Sequence, residues 1–472
     1  MTHTETRGTA GPSADGGVGR QAGAAADGHA GPSPSEQEEQ RLLAVADRYS
    51  FRGRIDRKVA VGPIFVRGSG TEVVDMQGRT YLDFNSGQMC AALGHNHPRV
   101  VAAIRAACDT LIHSHSSFYN VKEIELAERI ASLLPEPLSK TLFGESGADA
   151  NEFAMSVARV FTGGRDVYSP LVSFHGVSLG TRSVTFAGWR RGHGGLPGDG
   201  KAMFAPYCYR CPLSKTFPSC QLACLDASFE LVDGQSAEQP AAVITEPLFS
   251  AGGVIDPPPG WLARLAQLCA ERGMLLIVDE EQTGLGKLGT MFGFEPEGVV
   301  PDIVTIAKHF GGGVGVSAMT TTPVIEEAVV QAGMTVTHSH SNDPLICAAG
   351  LASLDVVAEE DVPAVARRIG DRMLAHLRAL AERYELIGDV RGRGQLVGVE
   401  LVRDRDTREP ATEEGRVLGD ACLRAGLIFS LRRDGSVLRF VPPSTTSLDQ
   451  VDRAMGIFAD QLEAVSAAAT SS

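Results

Sequence analysis

The chain has 472 residues, 43% of them hydrophobic, and a formal net charge of −14. That is enough apolar side chain for a large domain and a smaller one, while the acidic balance and the lack of a long Lys/Arg run remove the electrostatic basis for binding nucleic acid. No stretch has the continuous apolar length of a bilayer span, so the sequence reads as soluble, with no membrane partner.

Taken in chain order, Met1–Ser35 is rich in Gly, Ala and Ser, shows no apolar periodicity and reads as a disordered tail. It has no hydrophobic signal core, and Glu5, Asp15 and Asp27 argue against an acid-poor import presequence, so a cytoplasmic location is expected. Nine cysteines, an odd number without a secretion signal, are expected as reduced thiols. Glu36–Tyr49 has helical composition, and Val61–Phe84 alternates apolar and polar residues around glycine turns, as short antiparallel strands do. From Thr141, the strand candidates Leu171–Phe174, Ala242–Thr245, Met274–Asp279 and Ile303–Ala307 alternate with helical stretches such as Gly260–Arg272. That pattern predicts an α/β fold with a mostly parallel sheet covered by helices on both faces. Long helices at Ala364–Tyr384 and Leu448–Ala467 then flank short strands near Val397–Leu401 and Val437–Val441. The expected organisation is a tail over 1–35, an N-terminal segment of a small domain over 36–90, a large α/β domain over 91–344 and a C-terminal α+β part over 345–472.

Asp279 and Lys308 each follow an apolar strand candidate, LLIV and DIVTIA, so both side chains belong at the carboxyl edge of the sheet, where ligands bind. A buried lysine with a depressed pKa can form a Schiff base with an aldehyde cofactor, and a carboxylate can keep a pyridine nitrogen protonated. Taken alone, such residues also serve as helix caps or surface groups. The small residues Ser146, Gly147 and Ala148 lead into a helical pattern, and bare N–H groups at such a start favour an anion. The stretch Ser173-Phe174-His175-Gly176 puts an aromatic ring, able to stack on a flat cofactor, and an imidazole at a strand end.

In order, SGADANE (146–152), SFHG (173–176), TEP (245–247), VDEEQTGLGKLG (278–289) and IAKHFGGG (306–313) resemble the motifs of class III pyridoxal-phosphate aminotransferases, from about Val61 to the C-terminal helix. The resemblance implies a fold-type I transferase, pyridoxal 5'-phosphate as cofactor and transfer of an amino group from an amino acid to an oxo acid, aldehyde or ketone. It implies Lys308 as the Schiff-base lysine and Asp279 as the partner of the pyridine nitrogen. Gly147 and Ala148 would bind phosphate, Gln282 would reach the ring hydroxyl, and Phe174 would stack with His175 beside it. Ser339 falls where relatives have a Thr that reaches the neighbouring subunit's phosphate, which implies a homodimer. Arg439 would clamp a substrate carboxylate, and Gln88 matches a substrate-touching residue.

Within the class, NSGQMCAALGHNHP (85–98), GTMFGFEPEGVVPDIVT (289–305), SNDPLICAAGLASLDVV (341–357) and IGDVRGRGQLVGVEL (387–401) are most similar to the 2,2-dialkylglycine decarboxylases. Those enzymes have Trp at the place of Phe174 and Ser at that of Ala251. Simple transamination therefore ranks above decarboxylation-dependent transamination, with a racemase or isomerase on the same fold as a further alternative. Glu281 stands where the motif has a small apolar residue beneath the cofactor ring. There it would stabilise a protonated cofactor or itself be protonated. Cys208-x-x-Cys211 and Cys220-x-x-x-Cys224 have near-ligand spacing, but Pro212, Pro218 and the loose second pair favour an irregular loop, and no metal is expected. His338 and His340 are left without a role.

Overall fold

The computed structural model describes residues 33–51, 62–188, 190, 194–236 and 238–470. Most of the expected tail, and Val61, lie outside these residues. The tail's last residues are already ordered: Ser33 caps a helix over Pro34–Tyr49, closing a capping box with Glu36.

Residues 62–470 build three sheets. β1 (Phe65–Ser69), β2 (Glu72–Asp75) and β3 (Thr80–Asp83) form the expected antiparallel meander. The large sheet comprises β4 (Lys140–Gly144), β5 (Val167–Pro170), β6 (Gly200–Met203), β7 (Ala242–Thr245), β8 (Leu275–Asp279), β9 (Ile303–Ile306) and β10 (Ser317–Thr321). Its order is β4-β10-β9-β8-β7-β5-β6, and only β10 runs against the rest. Every residue of β5, β7, β8 and β9 is buried. Continuous apolar runs rather than alternation are what helices on both faces require.

One strand departs from expectation. β5 ends at Pro170, and Leu171–Phe174 forms the turn after it. Val172 takes φ +86°, and the Ser173 N–H and Oγ both donate to the Pro170 carbonyl, at 3.1 and 2.7 Å. A proline inside an apolar run reads as a break; here it closes the strand, and the apolar Leu171 and Val172 belong to the turn.

The C-terminal part holds β11 (Ile387–Arg393), β12 (Leu396–Asp404), β13 (Glu409–Pro410), β14 (Leu427–Ile428), β15 (Ser430–Arg432) and β16 (Val437–Phe440). β11, β12, β16 and β15 form an antiparallel sheet, and β14 joins the N-terminal meander in parallel beside β3. The helices Val362–Arg383 and Leu448–Thr470 bury Met373, Leu377, Met455 and Phe458 against Val397, Val399 and Phe440. Among the described residues no helix is long and apolar enough to cross a membrane.

Parallel strands share a direction, so the C-terminal ends of β5, β7, β8 and β9 meet at one edge of the sheet. The C-terminal part is keyed to the chain after β8 at Gly394, where a Cβ would lie 2.2 Å from the Lys287 carbonyl oxygen. A Cβ on Gly370, inside the Val362–Arg383 helix, would lie 2.0 Å from the Gly394 carbonyl oxygen, and the next residue, Gln395, donates its N–H to the Lys287 carbonyl at 2.9 Å.

In a helix interior Gly→Ala ordinarily stabilises by about 1 kcal/mol. At Gly370 the added methyl meets backbone, so Gly370→Ala lowers stability by about 2 kcal/mol, read as a fall in urea midpoint. A rise would contradict the close packing.

Candidate active site

Asp279 ends β8 with 2% of its surface exposed. Its Oδ2 accepts hydrogen bonds from Asn151 Nδ2 and His175 Nδ1, both at 2.8 Å, and its Oδ1 accepts the Glu281 N–H at 3.0 Å. Asn151 is held in turn: its Oδ1 accepts the Thr305 hydroxyl at 2.8 Å, and its Nδ2 also reaches the His175 carbonyl at 2.8 Å. His175 Nε2 sits 3.1 Å from the Ser169 hydroxyl. Residues of β5, β8, β9 and the Gly147–Thr162 helix thus fix one carboxylate. A buried carboxylate is tolerated only when its lone pairs are satisfied.

Asn151 stands inside the quoted SGADANE stretch, yet the sequence reading gave it no role. The usable signal is spacing: it follows Gly147 by four residues and so lies on the same helix face, where a buried amide in mid-helix is unfavourable without partners.

Ser146 caps that helix, sharing a capping box with Asp149. Gly147 and Ala148 keep first-turn N–H groups that no helical carbonyl can reach, a natural anion site. A carboxylate already lies there. A Cβ on Gly147 would fall 1.9 Å from Glu281 Oε2, so Gly147 leaves room for an anion to press against the helix start. Glu281 Oε2 accepts from Lys308 Nζ at 3.0 Å, and Oε1 accepts from Asn151 Nδ2 at 2.9 Å. Lys308 opens a short 3-10 turn after β9 with φ +57°, a conformation that costs a non-glycine residue energy.

The charge state of Lys308 corrects the expectation of a depressed pKa. Burial works against its charge, but the Glu281 and Asp279 carboxylates outweigh burial and hold the ammonium above the ordinary lysine range. Burial, with Asp279 adding to it, pushes Glu281 up to about 7. The lysine with a depressed pKa is Lys287, to which the sequence reading gave no role. Fully buried and repelled by Lys308, it is pushed down to about 7. Its Nζ lies 3.0 Å from His309 Nδ1, and His309 Nε2 lies 3.2 Å from the Leu285 carbonyl. The carbonyl can only accept, so Nε2 carries the proton and Nδ1 accepts from Lys287.

A second set of groups faces the same edge. Arg439, on β16 and 1% exposed, donates from Nη1 to Ser250 Oγ at 3.0 Å and Gln282 Oε1 at 3.3 Å, and from Nε to Ser430 Oγ at 3.0 Å. Its Nη2 is buried with no hydrogen-bond partner, and a carboxylate is the group that would satisfy it. Glu246 accepts the N–H groups of Phe174, at 3.0 Å, and Ser250, at 3.1 Å. This fastens the half-buried Phe174 beside the site. Gln88 is exposed, in a loop where Ser86, Gly87, Gln88 and Met89 all have positive φ; its neighbour Met89 packs against Ser250.

Ser339 is the residue the chain does not bring in. It sits in an exposed turn, although the adjacent His338 Nε2 lies 3.3 Å from Glu145, next to the helix cap. Cys208, Cys211, Cys220 and Cys224 are free thiols lining one small cavity away from these groups.

The set fits pyridoxal phosphate on its own chemistry: an amine within reach, a fixed carboxylate, and a bare helix start holding a stand-in anion. The chain matches the family model for aminotransferase class III over residues 56–462. It is 39% identical to an uncharacterised aminotransferase of Schizosaccharomyces pombe, over 84% of this chain and 89% of that one. It is 34% identical to a leucine/methionine racemase of Thermococcus litoralis, over 90% and 95%. An amine transaminase of an uncultivated Pseudomonas species, solved in its PLP-bound form, superposes with a TM-score of 0.83 at 32% identity, covering 89% of this chain and 99% of that one.

Lys287 gives the site a signature in stability. Its folded pKa, about 7, lies below the ordinary 10.5. Between those values the unfolded chain binds a proton that the folded chain lacks, so this residue makes stability rise with pH across the window. In Lys287→Met that contribution is gone. The variant's urea midpoint exceeds the wild type's at about pH 7, and the gap closes by about 1.4 kcal/mol per pH unit toward pH 10. A gap independent of pH would contradict a neutral buried lysine.

Proposed function

The chain belongs to the class III aminotransferases, PLP-dependent enzymes that pass an amino group from a donor to an oxo acceptor, and from that premise we propose how its own residues divide the work. The observation that carries the proposal is the meeting of Lys308 Nζ, the Asp279 carboxylate and the bare start of the Gly147–Thr162 helix at one sheet edge. Bound pyridoxal phosphate supplies an aldehyde carbon for the amine and a protonated ring that draws electrons from the bond being broken. The N–H groups of Gly147 and Ala148, set by the Ser146 cap, hold the phosphate. Asp279 holds the proton on the ring nitrogen, and Asn151 and His175 keep its carboxylate aimed. Phe174, with His175 next to it, would pack on the ring, and Gln282 would reach the ring hydroxyl.

Lys308 is the amine that would hold the cofactor's aldehyde carbon. Its Nζ, as a free amine, would take the proton from the substrate carbon and return it elsewhere. The free Nη2 of Arg439 receives the substrate carboxylate, with Gln88 closing from the loop above. Simple transamination is the preferred reaction, and the absence of a hydroxyl at Ala251 supports it over loss of CO₂. The identity to a racemase supports a second reading on the same residues, in which the proton returns to the carbon it left.

We place Ser339 in a neighbouring chain's phosphate site, in a homodimer. Asn120 Nδ2 donates to the Asn342 carbonyl at 2.7 Å, so the segment around residue 120 borders the Ser339 turn. Its Phe118, Tyr119 and Val121 are exposed apolar residues on that surface, a feature of protein contacts. The free thiols support a cytoplasmic location.

Lys308→Ala is expected to lower turnover of an amino donor with an oxo acceptor by about 10³-fold or more and to abolish the visible cofactor band, with circular dichroism unchanged. Retained turnover would contradict the assignment. Chirality of the donor recovered after incomplete turnover separates the readings: an unchanged L-amino acid marks transamination, and a racemic mixture marks the racemase.

A further inference from the structure

Away from the cofactor site the chain gathers four thiols. Cys208, Cys211, Cys220 and Cys224 all line one small cavity after β6, and all four are free. Spacing alone counts against a ligand set, because the second pair is one residue looser than the first. The backbone removes that objection. Cys208 opens the 3-10 turn Cys208–Arg210, and side chains three apart on such a turn eclipse, which sets Cys208 and Cys211 on one side. Between the second pair, Gln221 and Leu222 both take left-handed backbone, with φ +51° and +61°. That curl takes up the longer spacing and returns Cys224, in the first turn of the helix Ala223–Gln235, to the cavity that Cys220 lines. Such conformations cost non-glycine residues energy and persist only where the surroundings impose them.

Both ends of the segment are fixed. The Tyr207 hydroxyl and the Arg210 guanidinium bind the fully buried Glu400 of β12. At the other end, the Phe204 N–H donates to Ser228 Oγ at 2.9 Å, and that hydroxyl donates to the Cys224 carbonyl at 2.6 Å. The thiols are near enough to act on one another: burial first, and then the charges of Cys208, Cys211 and Cys220, push Cys224 up to about 11.

The donor set selects the occupant. Thiolates in mostly apolar walls suit zinc or an iron–sulfur cluster rather than a hard, oxygen-seeking cation. A single zinc ion, with tetrahedral bonds of about 2.3 Å, draws every pair of sulfurs to about 3.8 Å. Among the described residues no three of these sulfurs lie within 4.8 Å of one another. A cluster spreads its cysteines over several irons and so accepts a wider set. We propose that Cys208, Cys211, Cys220 and Cys224 ligate an iron–sulfur cluster. Binding breaks four S–H bonds and forms four Fe–S bonds, and the four protons leave to solvent. Lys215, exposed and lining the same cavity, offsets part of the negative charge of the thiolates. None of the residues lining this cavity is among those placed around the cofactor, so the cluster fastens the chain after β6 to the helix that follows and takes no part in amino transfer.

The test measures iron and acid-labile sulfide in full-length holoenzyme purified without oxygen or chelator and reconstituted with ferrous iron and sulfide. Wild type is compared with the double variant Cys211→Ser/Cys220→Ser and with Cys108→Ser, an exposed cysteine outside the cavity. Wild type and Cys108→Ser are expected to hold about two or about four irons per chain, with equal sulfide. The double variant should hold about 10-fold less of both while keeping its pyridoxal phosphate. Should the double variant fail to fold, the Mössbauer spectrum of iron-57-loaded wild type decides: sulfide-bridged iron with thiolate ligands supports the proposal, and iron in any other environment overturns it. One zinc per chain, two disulfides among the four cysteines, or no metal at all would each overturn the cluster, and none of these results bears on Lys308.

Discussion

A carboxylate buried at the end of a fully buried strand has to be paid for, and the way Asp279 is satisfied organises the site around it. Its acceptor positions are filled from three directions: the amide of Asn151, the imidazole of His175 and the backbone after β8. Each partner comes from a different element, so the Gly147–Thr162 helix, the turn after β5 and β8 itself are locked into one arrangement. Removing any one leaves a buried charge short of a hydrogen bond, a loss of order 1–3 kcal/mol. The same bonds fix the helix start that offers its N–H groups to an anion. Structural stability and readiness for the cofactor share one set of contacts.

The charges around that anchor are strained. Glu246 and Glu280 are pushed up by burial, Glu281 by burial and by Asp279, and Lys287 is pushed down by burial and by Lys308. Such a cluster is costly for a fold of marginal stability and is the usual mark of a site where protons move. The C-terminal sheet contributes Arg439 with one nitrogen left without a partner, so the polar residue that would receive a substrate comes from a different core than the residues that would hold the cofactor.

Much of this was legible in the chain. The apolar runs of β7, β8 and β9 read as buried parallel strands because helices cover both faces, and a polar residue immediately after such a run has only the sheet edge to occupy; Asp279 and Lys308 follow from that. What sequence could not supply was pairing across distance. Asn151 reads as an ordinary polar residue in a helix until Asp279 and Glu281, more than a hundred positions away, are seen to need its amide. Lys287 resembles a loop lysine, and its neutrality depends on being enclosed beside Lys308 and His309. Burial alone points the charge of Lys308 the wrong way; the Glu281 and Asp279 carboxylates decide it. The strand candidate Leu171–Phe174 falls just past β5, because the strand closes at Pro170 and the apolar Leu171 and Val172 belong to the turn.

The central claim is that Lys308, rather than the more readily deprotonated Lys287 nearby, is the amine that holds the cofactor. Reducing the holoenzyme with borohydride fixes the cofactor to its lysine, and mass spectrometry of the digested protein locates it. The account predicts the modification on Lys308, in the peptide that continues from β9. Modification of Lys287, or of any other lysine, would contradict it.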